Sequence, residues 1–189
     1  MLNNNSSLAR WCGIAGIVGI ALGVVTGVLG LMNPASVYAP PPGLWNYTAT
    51  LGKIVLFLEG VAILGFTASF IGFHLIGAVG NGALGKTATV LSVIGNLGAA
   101  LGFMHSAFIG ELSPITNVGY LLLPGLILMT VAALRTKRVS TLKAWMPLGI
   151  LIGLMIIELG LPMSGITDMI HQAVYGALSF VVLSEVGKA

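Results

Sequence analysis

Six apolar segments of helix length divide this chain, at roughly 11–32, 53–79, 88–110, 117–134, 144–161 and 166–184. A hydrocarbon core about 30 Å thick takes roughly 20 helical residues to cross. Inside it every backbone polar group must find its partner within the protein. Only 7% of the 189 residues are charged, against about a quarter in soluble chains. Such a chain cannot cover a water-facing surface, so the lipid bilayer is the solvent the sequence expects. The expected fold is all-α: a polytopic membrane protein, one transmembrane domain over 1–189 formed by six helices.

The connections are short except for an outer loop at 33–52. There Pro34, Pro40, Pro41 and Pro42 stop a helix, while Tyr38, Trp45 and Tyr47 suit a membrane interface. With six spans, Arg10, Lys86, Arg135, Lys137, Arg138, Lys143 and Lys188 all fall on one side, and only Lys53 lies opposite. The excess of positive charge marks the cytoplasmic face. Both termini are therefore expected in the cytoplasm, with the chain in the inner (plasma) membrane. The basic residues are too few to suggest nucleic acid. Val37-Tyr38-Ala39 has the small residues of a signal-peptide cleavage site, but Pro40 follows directly and the apolar run is long, so the first segment reads as a span. Asn46-Tyr47-Thr48 is a glycosylation sequon on the outer side, relevant only in a eukaryotic secretory pathway. Cys12 is alone and permits no internal disulfide.

Glycine is frequent, at 27 residues, and small residues let membrane helices approach closely. Ala15, Gly19, Gly23 and Gly27 repeat every four residues in the first segment, as do Gly98, Gly102, Ser106 and Gly110 in the third. Each strip predicts helix packing, either within the bundle or, less economically, as the seam of a homo-oligomer or of a complex with other membrane subunits. His105 shares the side of the second strip and is expected to face protein.

Gly80-Asn81-Gly82-Ala83-Leu84-Gly85-Lys86-Thr87 matches the phosphate-loop pattern GxxxxGK[ST]. That motif works between a parallel-sheet strand and a helix. Here it follows a membrane helix with no acidic residue nearby, so the sequence predicts a glycine turn and no nucleotide.

Ionisable groups within apolar segments are costly and usually functional. The topology gathers Glu59, His105, Glu111, Glu158, Asp168 and His171 towards the outer face. Asp168, His171, Gln172, Tyr175 and Ser179 follow helical spacing, which puts them along one side of the last helix. Asp168 and His171 are placed to pair as carboxylate and imidazole. Glu59 lies roughly six residues, about 9 Å, inside the second segment. Glu111 and Asp168 also suit a wet outer surface, and His74 reads as an interface residue. The candidate site for a proton or ion is therefore Glu59, His105, Glu158, Asp168, His171 and Tyr175.

Three chemistries fit that set. A divalent metal would take His105, His171 and carboxylates among Glu59, Glu158 and Asp168. A haem or pigment would be held between His105 and His171. Proton-coupled movement of a small solute would titrate Glu59 and line its path with the last-helix stripe. Met104, Met155 and Met169 are scattered and read as packing. Ser164 lacks any supporting motif, so no catalytic residue is assigned.

Ala132-Ala133-Leu134-Arg135, the basic turn to Leu142-Lys143-Ala144-Trp145, and Pro147-Leu148-Gly149 resemble a pattern in small uncharacterised bacterial six-span membrane proteins. The resemblance spans about 117–184. It implies a fold style and a bacterial origin, and carries no functional residue. Transport or sensing of a small solute or ion is the leading expectation. A non-catalytic subunit of a larger membrane complex, with or without haem, comes second, and a membrane enzyme third.

Overall fold

The computed structural model of the chain describes residues 2–39, 44–160 and 164–186, with side chains at 6–39, 45–156 and 164–186. The chain is helical almost throughout. Helix α1 covers Leu2–Met32, a short α2 covers Pro34–Val37, α3 covers Thr50–Leu75 and α4 covers Ala83–Ile109. A 3-10 segment, Pro114–Leu121, leads into α5, Leu122–Thr136. The short α6 (Thr141–Ala144) precedes α7 (Met146–Gly160), α8 (Gly165–Tyr175) and α9 (Ala177–Val186).

Five stretches are long and apolar enough to cross a membrane: Ser6–Met32, Thr50–Leu75, Ala83–Ile109, Pro114–Thr136 and Gly165–Val186. Helix α7 corresponds to the expected fifth span but is shorter. Its 15 residues rise about 22 Å at 1.5 Å each. The last span is bent where α8 meets α9. The Gly176 amide still bonds to Gln172 O at 2.9 Å, and the Ser179 amide turns back to Gly176 O at 2.9 Å. A side chain at Gly176 would strike Ile20 Cγ1 at 2.2 Å, so the glycine lets α1 close in.

The described parts of the 33–49 loop are folded against each other. Tyr38–Ala39 pairs antiparallel with Leu44–Trp45, Tyr38 opposite Trp45. Asn46 then organises the start of α3. Its Oδ1 accepts from Thr48 N (3.2 Å), Thr48 Oγ1 (2.9 Å) and Ala49 N (3.1 Å), while Nδ2 donates to Ala35 O. The sequon asparagine thus holds the turn that leads into α3.

Helix α3 is the centre of the bundle. Phe66, Phe70 and Phe73 are fully buried on it, against α1, α4 and α9. Both small-residue strips are covered within the chain. On α1, a side chain at Gly19 would meet Ala62 O, one at Gly23 would meet Gln172, and one at Gly27 would meet Met169 and Gly165 O. On α4, Gly98 faces Val118 and Gly102 faces Thr116. Those strips are spent on internal packing, which removes them as oligomer seams. Outward faces carry exposed apolar side chains such as Val18, Ile94, Leu101, Phe108, Ile127 and Phe180, as lipid contact requires. The segment 80–87 is a turn that runs into α4; no parallel strand precedes it among the described residues.

Candidate functional site

The last-helix stripe turns inward, and each of its buried members meets a polar residue from a different part of the chain. Asp168 lies beside the Tyr38 hydroxyl of the outer loop. Gln172 donates its amide to Glu59 on α3, whose other oxygen accepts from Thr26 on α1. Tyr175 donates to Asn96 Oδ1 on α4. Ser179 Oγ bonds Ser69 Oγ at 2.8 Å. Polar contacts therefore run turn by turn from the Tyr38 loop past the middle of the bundle. Asn96 stands midway along α4.

Glu59 is deeper than the sequence suggests. Helix α3 begins at Thr50, which puts Glu59 roughly nine residues, about 14 Å, along its axis. It is 2% exposed, and Asp168 is 1% exposed. The two carboxyls are close enough for their charges to interact. Among the described residues neither forms a salt bridge with Lys or Arg. Both Asp168 oxygens, Gln172 Oε1 and Asn96 Nδ2 are buried without a hydrogen-bond partner, as is Tyr38 Oη. Buried polar groups are nearly always satisfied, and a cluster of unmet ones calls for an explanation.

A cavity of about 630 Å³ reaches this polar column. Glu59, His171, Gln172 and Tyr175 line one part of it, and Trp45, Phe103 and Tyr120 supply aromatic wall. The 3-10 segment and α7 complete it through residues such as Thr116 and Leu151. Tyr120, Leu112 and Met155 are 70%, 57% and 50% exposed, which marks the rim. Trp45 is fixed by Tyr38 at 5.5 Å and Phe103 at 6.5 Å between ring centroids. Tyr175 is held edge-on against Phe66 at 5.1 Å.

Tyr38 lies outside the spanning helices, and its hydroxyl is pushed above the ordinary 10.0, first by burial, then by the charges of Asp168 and Glu59. Burial raises the Tyr47 hydroxyl too.

Several sequence expectations are corrected. Asp168 and His171 form no hydrogen bond; His171 instead stacks at a tilt near Tyr175, 5.9 Å between centroids. Asp168 is not a wet helix-start residue; Ser164 caps α8, accepting from Thr167 N at 3.2 Å. His105 does not face the interior. It is exposed, and its Nδ1 bonds Ser113 Oγ at 2.9 Å. The reason is the partner of its glycine strip: a short 3-10 segment, not a full helix, covers Gly98 and Gly102 and leaves His105 at the edge. His105 is not among the residues that line the cavity His171 reaches. No group of three or more His, Cys, Asp or Glu side chains able to hold a metal forms among the described residues. Glu111 is exposed. The Glu158 side chain falls outside the described residues.

Thr26, Tyr38 and Asn96 were not singled out from the sequence as site residues, and Gln172 was noted only as part of the stripe. Asn96 carried a readable signal, being an amide in the middle of an apolar segment. Thr26 and Tyr38 carried none, because only the packing of α1 and the outer loop brings them in. Comparison with protein-family models, with curated proteins and with solved structures found no match to this chain.

Proposed function

We propose that the chain is a multi-pass membrane protein that binds a small cation in the outer half of its bundle, in transport or in sensing. One observation carries this reading. Glu59 and Asp168 are buried together beside a cavity, without a cationic side chain paired to them among the described residues. Burying an ionised carboxylate without compensation costs several kcal/mol, even after relaxation. A purely structural site would be served by neutral side chains. A site that takes up a cation, H⁺ included, has a use for both acids.

The proposed path has six spans and cytoplasmic termini. Thr136 Oγ1 bonds Ala78 O at 2.5 Å, and Lys143 pairs with Glu185. The ends of α3, α5 and α9 and the start of α7 thus share one end of the bundle, where the basic residues collect. A side chain at Gly165 would meet Gly27 O at 2.1 Å, so α8 starts at the opposite end. These contacts support a path in which α7 travels between the two ends despite its length.

The test uses the full chain in lipid nanodiscs and vesicles with sodium, potassium, ammonium and protons as the panel. Saturable binding of at least one cation is expected, weakened at least tenfold in Glu59→Gln. Binding with flux through vesicles makes the protein a transporter, and binding alone makes it a sensor. No binding by any member, or binding unchanged in Glu59→Gln, overturns the reading.

A further inference from the structure

We infer that the cavity takes an organic ammonium ion with an apolar body, the ammonium directed at Glu59 and Gln172 and the body lying among Trp45, Phe103 and Tyr120. This inference rests on the cation site proposed above and names its ligand class. Three features of the cavity choose that class.

The first is its sign. Glu59 lines it, Asp168 stands close to Glu59, and no Lys or Arg is among the lining residues. An anionic solute would meet the Glu59 carboxyl, with Asp168 close to it and no Lys or Arg in the lining to balance it.

The second is the kind of hydrogen bond left open. Gln172 is 2% exposed and lines the cavity. Its amide nitrogen is used on Glu59, and its Oε1 is unpartnered. What this end offers is acceptors. A ligand that matches them must donate, and an ammonium group does so through up to three N–H bonds while bringing the missing charge.

The third is size and wall chemistry. About 630 Å³ falls within the roughly 300–1,000 Å³ of small-molecule sites, which are mostly apolar with a few placed polar groups. A bare inorganic ion would fill little of it. Beyond the carboxyl end the wall is Trp45, Phe103, Tyr120, Leu122, Leu151 and Leu154. Aromatic faces attract cations, and both they and leucines cover an apolar body. The absence of a three-ligand group among the described residues fits an organic cation better than a divalent metal.

The probe is phenethylammonium, with phenethyl alcohol and phenylacetate as its neutral and anionic counterparts. Equilibrium dialysis against the full chain in nanodiscs, corrected with empty discs, reads the affinity. Phenethylammonium should bind saturably and compete with ammonium ion, with each counterpart at least tenfold weaker. Glu59→Gln should weaken it at least tenfold. Ala99→Phe puts a ring into the cavity wall. It should weaken phenethylammonium at least tenfold while sparing ammonium ion. Met155→Trp, at the exposed rim, repeats that test with less demand on folding.

If ammonium ion or another inorganic cation binds through Glu59 but phenethylammonium does not displace it, the ligand class is wrong and the cation site stands. If no cation binds, both readings fall. Phenethylammonium affinity unchanged in both cavity variants, or equal affinity for phenethyl alcohol, also overturns the inference.

Discussion

Tyr38 joins the outer loop to the buried acids, and its phenol reports on both. A phenol that must ionise in a buried place, facing carboxylates, resists losing its proton. Its ionisation is displaced upward from 10.0 by burial, then by Asp168 and Glu59. The linkage has a definite sign. Below pH 10.0 the folded and unfolded chains both keep the proton, so Tyr38 contributes no pH dependence there. Above it the unfolded chain ionises first, and stability falls with rising pH until the folded phenol follows. The phenolate absorbance, taken as the difference between the native chain and Tyr38→Phe, should therefore appear later in an alkaline titration than in denatured protein. In Asp168→Asn it should move to lower pH. An identical titration in that variant would separate Tyr38 from the acid and remove the loop from the site. The same residues show why the site was only partly legible in sequence. The Asp168–Gln172–Tyr175–Ser179 spacing lies within one segment and obeys the helix period. Their partners Tyr38, Glu59, Asn96 and Ser69 come from three distant segments, and periodicity says nothing about which faces meet.

Among the helices, the closest approach between α1 and α3 depends on glycine. A side chain at Gly65 would stand 2.4 Å from Ala15 O, a backbone atom that cannot swing aside. Gly149 on α7 offers the contrast, with nothing within 4 Å of such an atom. Gly65→Ala is expected to cost about 1–3 kcal/mol through overpacking. Gly149→Ala should change stability by less than about 0.5 kcal/mol. Unfolding in mixed micelles measures both, and equal effects would show that α1 and α3 are not held this closely. The helix-length segments were readable because apolar length is a local property. Five of the six appear at full spanning length, with their ends moved by a few residues. The loop hairpin, the 3-10 start of the fourth span and the bend at Gly176 were not readable. Each depends on contacts made across the bundle: Tyr38 on Trp45, Val118 on Gly98, Ile20 on Gly176. His105 was misplaced for the same reason. Its helical angle was read correctly from the strip, but the strip's partner was too short to cover it.

As a whole the molecule is apolar at its rim and carries a polar column through a largely apolar core, unlike a water-soluble fold with its charged surface. Val18, Leu101, Ile127 and Phe180 face outward, while Glu59, Asn96, Asp168, Gln172 and Ser179 are enclosed. That arrangement suits a bilayer on every side and makes the direction of each helix a matter of which loop meets which solvent. The proposed six-span path stands or falls on α7. If α7 crosses, residues 86, 138 and 188 share the cytoplasm and residue 116 lies outside. If α7 turns back, residue 188 changes sides while 86 and 138 stay. Replacing Cys12 with Ser leaves a cysteine-free chain, into which Lys86→Cys, Arg138→Cys, Lys188→Cys or Thr116→Cys is placed singly. An impermeant maleimide applied to intact cells should label only Thr116→Cys, and the other three should label after permeabilisation. Labelling of Lys188→Cys from outside, with Arg138→Cys still protected, would leave five crossings. It would also put the start of α8 on the same side as Arg138. That outcome would break the contact of Gly165 with Gly27 and the Lys143–Glu185 pair, while Glu59, whose helix α3 leads to residue 86 in the cytoplasm, would keep its place towards the outside.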